Sequence, residues 1–391
     1  MTALETLFGS DARRGVERAV AEFRSGRPCL ICDHDGASLL AAPSEGLDDA
    51  RLGALSALAG GRAPSLILTG RRAHWLGLLD HEPEAVALDM RAGVDAATVA
   101  GLVLGARETA AMPVAADLRP ADAFGRAAVD IARLAHLAPS VVLMALSPAR
   151  IAEIAPFVVG VTIGEVAAYR ASVPSDLMIV SQARVPLRPD VPSRFVVFRG
   201  GGSLHDQVAI VVGTPPVDAP VPVRLHSACL TGDLFGSLKC DCGDQLRNTV
   251  ARFHEIGGGV LLYLDQEGRG IGIANKMRAY RLQETGFDTI DADAQLGFRD
   301  DERDYSEAAR MLQLLGYSRV ALHSNNPRKL EALRRAGLTV VSREPVKTPV
   351  TLENARYLKT KAARAGHLID TAWVDEVEAA LVASARATAA E

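Results

Sequence analysis

Three of the five cysteines, Cys229, Cys240 and Cys242, fall within fourteen residues in the stretch RLHSACLTGDLFGSLKCDCGDQL, Arg224 to Leu246. The odd cysteine count, and an N-terminus (MTALETLFGSDARRG) without the apolar core of a signal peptide, do not read as a disulfide framework. The C-x10-C-x-C spacing points instead to metal or redox chemistry, which constrains the fold because the thiols must then act at one point. Structural zinc usually takes a two-residue gap. Three thiolates with one open position is the arrangement of a catalytic zinc, which acidifies water to a near-neutral pKa. Three inert buried thiols are the plainer alternative, and His226 is open as a fourth ligand or a substrate contact. Cys29 and Cys32 read differently. Their odd separation in the apolar run CLIC sends them to opposite faces of a buried strand.

At 391 residues the chain exceeds one ordinary domain, and about 150 residues per domain gives two to three. A 48% hydrophobic and 23% charged composition is that of a globular protein. The net charge, 43 − 47 = −4, argues against a general nucleic-acid binder. No apolar stretch approaches the roughly 18–20 residues of a membrane span, so a cytoplasmic protein without nucleic-acid or membrane partners is expected. All six lysines lie between Lys239 and Lys361, which singles those few out for inspection.

The first third alternates helix and strand: a helix over 12–25 ended by Gly26, strands at CLICD, SLILT and VVLMAL, and a mostly helical Ala-rich stretch from Asp95 to Leu137. A Pro-rich change of texture at 172–194 marks a domain boundary. Beyond it RFVVFRG and QVAIVVG read as a hairpin across a Gly-Gly-Gly-Ser loop. VLLYL, GRGIG and IANKMRAYRLQ give strand, glycine loop and helix, a layout that offers backbone N–H groups to an anion. Glu267 and Arg269 beside the first glycine suit a base edge and a phosphate. Asp300, Asp301, Glu302, Arg303 and Asp304 precede a helix; such a charge run is ordinarily solvated capping, with Ser306 as the N-cap. RVALHSNNPRKLEALRRAG is strand, polar turn and helix, with Lys329 in a first turn suited to phosphate. The tail from Asp375 reads as a surface helix with a frayed end.

Taken in order, HSACLTGDLFGSLKCDCGDQL, DQEGRGIGIANKMRAYRLQ, QLGFRDDERDY and SNNPRK resemble the GTP cyclohydrolase II family of riboflavin synthesis. The resemblance runs from about residue 178 to 369 and takes in SQARVPL, HDQVAIVVG and YLKTKAARAGHLI. It implies a mixed α/β (α+β) architecture, a homodimer, and a catalytic domain over 178–391. One zinc per chain is implied on Cys229, Cys240 and Cys242, with Mg²⁺ on the triphosphate. Asp301 matches the family's proton acceptor, Arg303 its proposed nucleophile toward the α-phosphorus, and Tyr280 the tyrosine near the reacting base. A guanidinium stays protonated near neutral pH, so a bidentate phosphate clamp is the alternative for Arg303. GTP contacts carry over to Arg224, Leu225, His226, Ser227, Ala228, Gln245, Glu267, Gly268, Arg269, Thr289, Ser324 and Lys329. Ala228 stands where many relatives have an acid, and Ser324 where they have Thr.

Residues 1–175 resemble dihydroxybutanone-phosphate synthase at VERAVAEFRSGRPCLICD and VTIGEVAAYR. The family's acidic metal loop is replaced by DHDGASLLAAPSEG, so a non-catalytic, structural or dimer-supporting domain is expected. The implied activity is hydrolysis of GTP at C8 with loss of formate and pyrophosphate. Two alternatives are a paralogue that keeps the formamide or acts in pyrimidine catabolism, and a silent nucleotide-binding regulator.

Overall fold

The computed structural model describes residues 10–91, 93–106, 117–171, 177–200, 205–346, 348–364 and 366–388. The chain forms two compact units, Met1–Ser172 with Ala274–Glu302, and Val173–Ile273 with Arg303–Glu391.

In the first unit, β1 (Cys29–Cys32), β2 (Ser38–Pro43), β3 (Ser65–Thr69), β4 (Ala85–Asp89), β5 (Leu118–Pro120), β6 (Val141–Ala145) and β7 (Val159–Thr162) make one sheet, ordered β5-β4-β3-β6-β2-β1-β7. Its inner strands β3, β4 and β6 are apolar on both faces because both faces are covered. Helices Asp11–Arg24 and Ala123–Leu134 pack on one side through Val16, Phe23, Ala128 and Ile131. Helices Asp49–Leu58 and Ala96–Leu104 pack on the other through Leu52, Leu55, Val99 and Leu102. Cys29 lies in the first core and Cys32 against the second, as their spacing requires. Burial raises the Cys29 thiol far above the ordinary cysteine range, which makes it inert. The Ala-rich stretch holds two helices but also β5, and residues 107–116 of it lie outside the described set.

The sequence division at 175–178 and these units differ over 274–302. That segment carries helices Ile273–Glu284 and Thr289–Gln295, and polar groups of the first unit hold it. The buried Arg72 guanidinium donates to the carbonyls of Gly101, Leu102, Gly105 and Gln295 at 2.6–3.2 Å. Burial draws its pKa down to about 10. The Thr69 hydroxyl donates to Gly297 O at 2.9 Å, and Arg278 forks onto Glu45 at 2.8 and 3.0 Å. Bonds from side chains to distant carbonyls leave no periodicity in a sequence, so the boundary there was not legible. The charge run is also less solvated than expected. Asp300 pairs with Arg71 at 2.7 Å and Glu302 approaches Arg133 at 3.6 Å. Ser306 is not the N-cap but the first helical residue of Ser306–Leu314; the Asp304 carboxylate accepts its N–H at 2.9 Å.

The second unit has β8 (Met178–Arg184), β9 (Ser193–Arg199), β10 (Gln207–Gly213), β11 (Val221–Ser227), β12 (Gly258–Leu264), β13 (Arg319–His323) and β14 (Thr339–Glu344), ordered β14-β13-β11-β12-β10-β9-β8. β9 and β10 pair antiparallel, as the hairpin reading expects; residues 201–204 of their loop lie outside the described set. β11 runs parallel to both β12 and β13. Helices Ser306–Leu314 and Pro327–Arg335 share a core with one face of the sheet through Met311, Leu312 and Leu333. Helix Cys242–Glu255 packs Phe253 on the other. The tail helix Thr371–Thr388 is less free than its composition suggests, because Val374 packs with Leu358 of helix Ala355–Ala363. No helix among the described residues is long and apolar enough to cross a membrane.

Candidate active site

The carboxyl ends of β13, β11 and β12 lie side by side and release three loops, the place where open parallel sheets bind ligands. After β11 the chain enters a π turn, Leu230–Leu234, directly following Cys229. Cys240 and Cys242 stand at the start of helix Cys242–Glu255. The three sulfurs lie within 4.8 Å of one another, and Cys229 and Cys240 are 3.7 Å apart. Sulfurs held tetrahedrally about 2.3 Å from one zinc stand about 3.8 Å apart, so the spacing fits such an ion. Gly232 makes room for it. A Cβ there would come within 2.7 Å of the Cys240 sulfur and 3.0 Å of the Cys229 sulfur. Hydrogen bonding to Cys229, with burial, raises the Cys240 and Cys242 thiols, as crowding among like sulfurs should.

His226, left open by the sequence, faces Asp233 rather than the sulfurs. Its Nε2 is 3.0 and 3.1 Å from the two Asp233 oxygens, and its ring stacks on Tyr263 at 5.5 Å. The Tyr263 hydroxyl and the Cys229 N–H also donate to Asp233, each at 2.9 Å. Asp233 therefore anchors the first cysteine. Sequence reasoning missed it, although a lone carboxylate in the apolar company of LTGDLF was a usable signal. Burial lowers the His226 pKa against the opposing pull of Asp233.

The glycine loop after β12 has Gly268, Arg269 and Gly270 all at positive φ (61°, 64° and 91°). For Arg269 this conformation costs on the order of 1–2 kcal/mol, a strain typical of functional loops. Glu267 accepts from Leu230 N at 2.7 Å and Gly268 N at 3.0 Å, tying this loop to the cysteine loop. Arg303 donates to the Ser227 hydroxyl at 3.3 Å. Lys329 is buried, donates to Leu225 O at 2.6 Å, and shares the Tyr305 ring with Arg303, each 5.5 Å from its centroid. The Ser324 hydroxyl accepts from Asn326 N at 3.0 Å inside its own turn. Arg224 is buried, donating to His323 O at 3.0 Å and to Gln245. Burial, with the positive charges of Lys361, Arg303, Arg269 and Lys329 around it, holds His367 down at about 3. Arg303 and Lys329, both against the Tyr305 ring, offer positive charge that suits a polyanion.

The second unit holds the three cysteines and also Arg224, His226, Ser227, Ala228, Gln245, Glu267, Gly268, Arg269, Arg303, Ser324 and Lys329. Leu225 has its side chain in the core and only its carbonyl turned to this region. Tyr280, Thr289 and Asp301 belong to the first unit. There Lys276 Nζ sits 5.5 Å from the Tyr280 ring centroid, and Thr289 accepts from Gln283 at 3.4 Å.

Residues 179–345 match the family model described as GTP cyclohydrolase II. The GTP cyclohydrolase-2 of Xylella fastidiosa (strain Temecula1) is 45% identical over 367 residues, covering 93% of this chain and 89% of that relative. The chain belongs to the GTP cyclohydrolase II family. The GTP cyclohydrolase-2 of Azospirillum brasilense is 42% identical, covering 91% of this chain and 94% of its own length. A Bacillus cereus riboflavin biosynthesis protein RibBA is 41% identical over 259 residues, 62% of this chain and 64% of that relative. In the two GTP cyclohydrolase-2 relatives, similarity to this chain extends well beyond the cyclohydrolase segment.

Proposed function

We propose that this chain hydrolyses GTP at C8 of the guanine ring, releasing formate and pyrophosphate and leaving a diaminopyrimidinone ribosyl phosphate, the first step of riboflavin biosynthesis. The carrying observation is the convergence of three thiols at the strand ends, in the same unit as Arg303 and Lys329, which share the Tyr305 ring. The thiol set suits zinc, one ion per chain on Cys229, Cys240 and Cys242. Bound there, zinc supplies water acidified to near neutrality for attack on C8. The rest falls to side chains. Arg269, Arg303 and Lys329 bind the triphosphate with Mg²⁺, and Arg303 acts as a clamp because its guanidinium remains protonated. Arg224 holds Gln245 through a hydrogen bond, and its contact with GTP rests on its motif. Asp301 takes the proton and Tyr280 donates to the formyl oxygen, roles that rest on their motifs. A homodimer in solution, measurable by sedimentation, belongs to the same reading.

Zinc-loaded protein given GTP should release formate, pyrophosphate and the pyrimidine in equal amounts. Ring opening without formate would mark the formamide-retaining paralogue, and binding without turnover a regulator. Tyr280→Phe should slow formate release by on the order of 10²–10³-fold, by analogy with oxyanion donors, so that the formamidopyrimidine accumulates. Wild-type formate release would leave Tyr280 no part in the deformylation.

For the first unit the reading is support without catalysis. In the loop after β1, the Asp33 carboxylate accepts the N–H groups of Asp35 and Ala37 at 3.0 and 2.8 Å, closing a turn. The full chain with ribulose 5-phosphate and Mg²⁺ should form no dihydroxybutanone phosphate. Metal-dependent product would overturn this.

A further inference from the structure

We propose that Asp241 and Lys361 form a buried ion pair that positions Cys240 and Cys242, which makes the segment 348–361 part of the metal centre. The proposal rests on reading the three cysteines as metal ligands. Residues 348–361 lie beyond the matched family segment, which ends at 345.

Asp241 separates the two cysteines and occupies the N-cap position of helix Cys242–Glu255. An aspartate there ordinarily accepts a first-turn N–H, a bond that stabilises a helix. Asp241 makes no such capping bond. Its carboxylate turns elsewhere. Oδ1 lies 3.2 Å from Lys361 Nζ, while Oδ2 accepts from the Thr348 hydroxyl at 2.9 Å and from Gln245 Nε2 at 2.5 Å. Both charges are buried, Asp241 2% exposed and Lys361 9%. The Lys361 ammonium also stands 4.1 Å from the Tyr357 ring centroid. Gln245 passes the chain of bonds on to Arg224, and Arg224 to the end of β13 at His323.

Two consequences follow from this geometry. The backbone at 241 cannot rotate without breaking bonds to Lys361, Thr348 and Gln245, and that backbone sets where the sulfurs on either side point. Charge is the second. Three thiolates on a divalent cation sum to −1, Asp241 adds another negative charge, and Lys361 supplies a positive one. Without Lys361 a buried carboxylate would stand uncompensated beside an anionic metal site, an arrangement proteins tolerate poorly. Asp241 and Lys361 are positioning residues, acting on the metal through its ligands.

The test uses the full chain and two probes, zinc under chelator competition and cobalt(II), whose thiolate charge-transfer and d–d absorption report ligand geometry. Lys361→Met should weaken zinc binding about 10–100-fold, the range for outer-shell partners of metal ligands, and should alter the cobalt spectrum. Lys361→Arg, which keeps the charge, should recover most of the affinity. Should Lys361→Met fail to fold, Thr348→Val removes one bond to Asp241 without a charge change and should still weaken binding several-fold. Wild-type affinity and an unchanged cobalt spectrum in folded Lys361→Met, or in Thr348→Val if that is the variant that folds, overturn the proposal. Wild-type protein that binds neither metal would instead refute the metal reading itself.

Discussion

Replacing Cys229, Cys240 or Cys242 by Ser should take bound zinc from about one per chain to nearly none and abolish ring opening. A serine hydroxyl is a harder and far less acidic ligand than a thiol, so each change leaves two soft donors for an ion that needs at least three protein ligands in a catalytic site. The rate effect should be near total. A zinc held by these thiols would bring the pKa of its water far below that of bulk water, so losing the ion would remove the nucleophile at working pH. The fold should persist, because the sheet of the second unit has its own apolar core on each face. Cys32→Ser is the matched control. Cys32 lies against a core of the other unit, with Ser38 Oγ 3.2 Å from its sulfur, and its loss should leave zinc content and turnover unchanged. Metal analysis beside product quantification decides the matter. Full turnover by rigorously metal-free protein would sink the proposal.

What the sequence disclosed and what it hid divide along a physical line. The three ligands were legible because they lie in one short loop, where spacing alone constrains geometry. The buried strands of both sheets were legible as short apolar runs, and the opposite fates of Cys29 and Cys32 followed from pleat alternation. Asp233 left a usable local signal, with His226 and Cys229 N–H close by in the chain, but its Tyr263 partner did not. Asp241 and Lys361 were not legible as a support for the metal loop, because they lie 120 residues apart. Pairings of that kind are fixed only when the sheet brings distant segments together. The lysine bias did carry information: Lys276, Lys329 and Lys361 are all buried, Lys329 bonds Leu225 O near the end of β11, and Lys361 pairs with Asp241 between two of the cysteines. Ser306 was misplaced for a local reason, since Asp304 lies two residues earlier and its carboxylate takes the N–H that a cap would satisfy.

Gly232→Ala should weaken zinc binding about ten- to a hundred-fold while scarcely changing the stability of the metal-free protein. The added methyl would sit 2.7 Å from the Cys240 sulfur, 3.0 Å from the Cys229 sulfur and 3.0 Å from the Cys242 Cβ. These are not flexible chain ends once a metal fixes them. Either the ligands spread or the π turn lifts away. Overpacking of this severity costs about 1–3 kcal/mol, and 1.4 kcal/mol is a factor of ten in affinity. The backbone contributes little, because Gly232 is not among the positive-φ glycines and an L residue can adopt its conformation. Gly236 supplies the opposite case. Its φ is 64° and an added Cβ would meet nothing within 4 Å, so Gly236→Ala should cost backbone stability yet leave zinc affinity near wild type. Chelator competition and thermal unfolding of the two variants side by side separate the effects. If Gly232→Ala holds zinc as tightly as the wild type, the three sulfurs do not close on a common ion, and the cysteine loop has some other task.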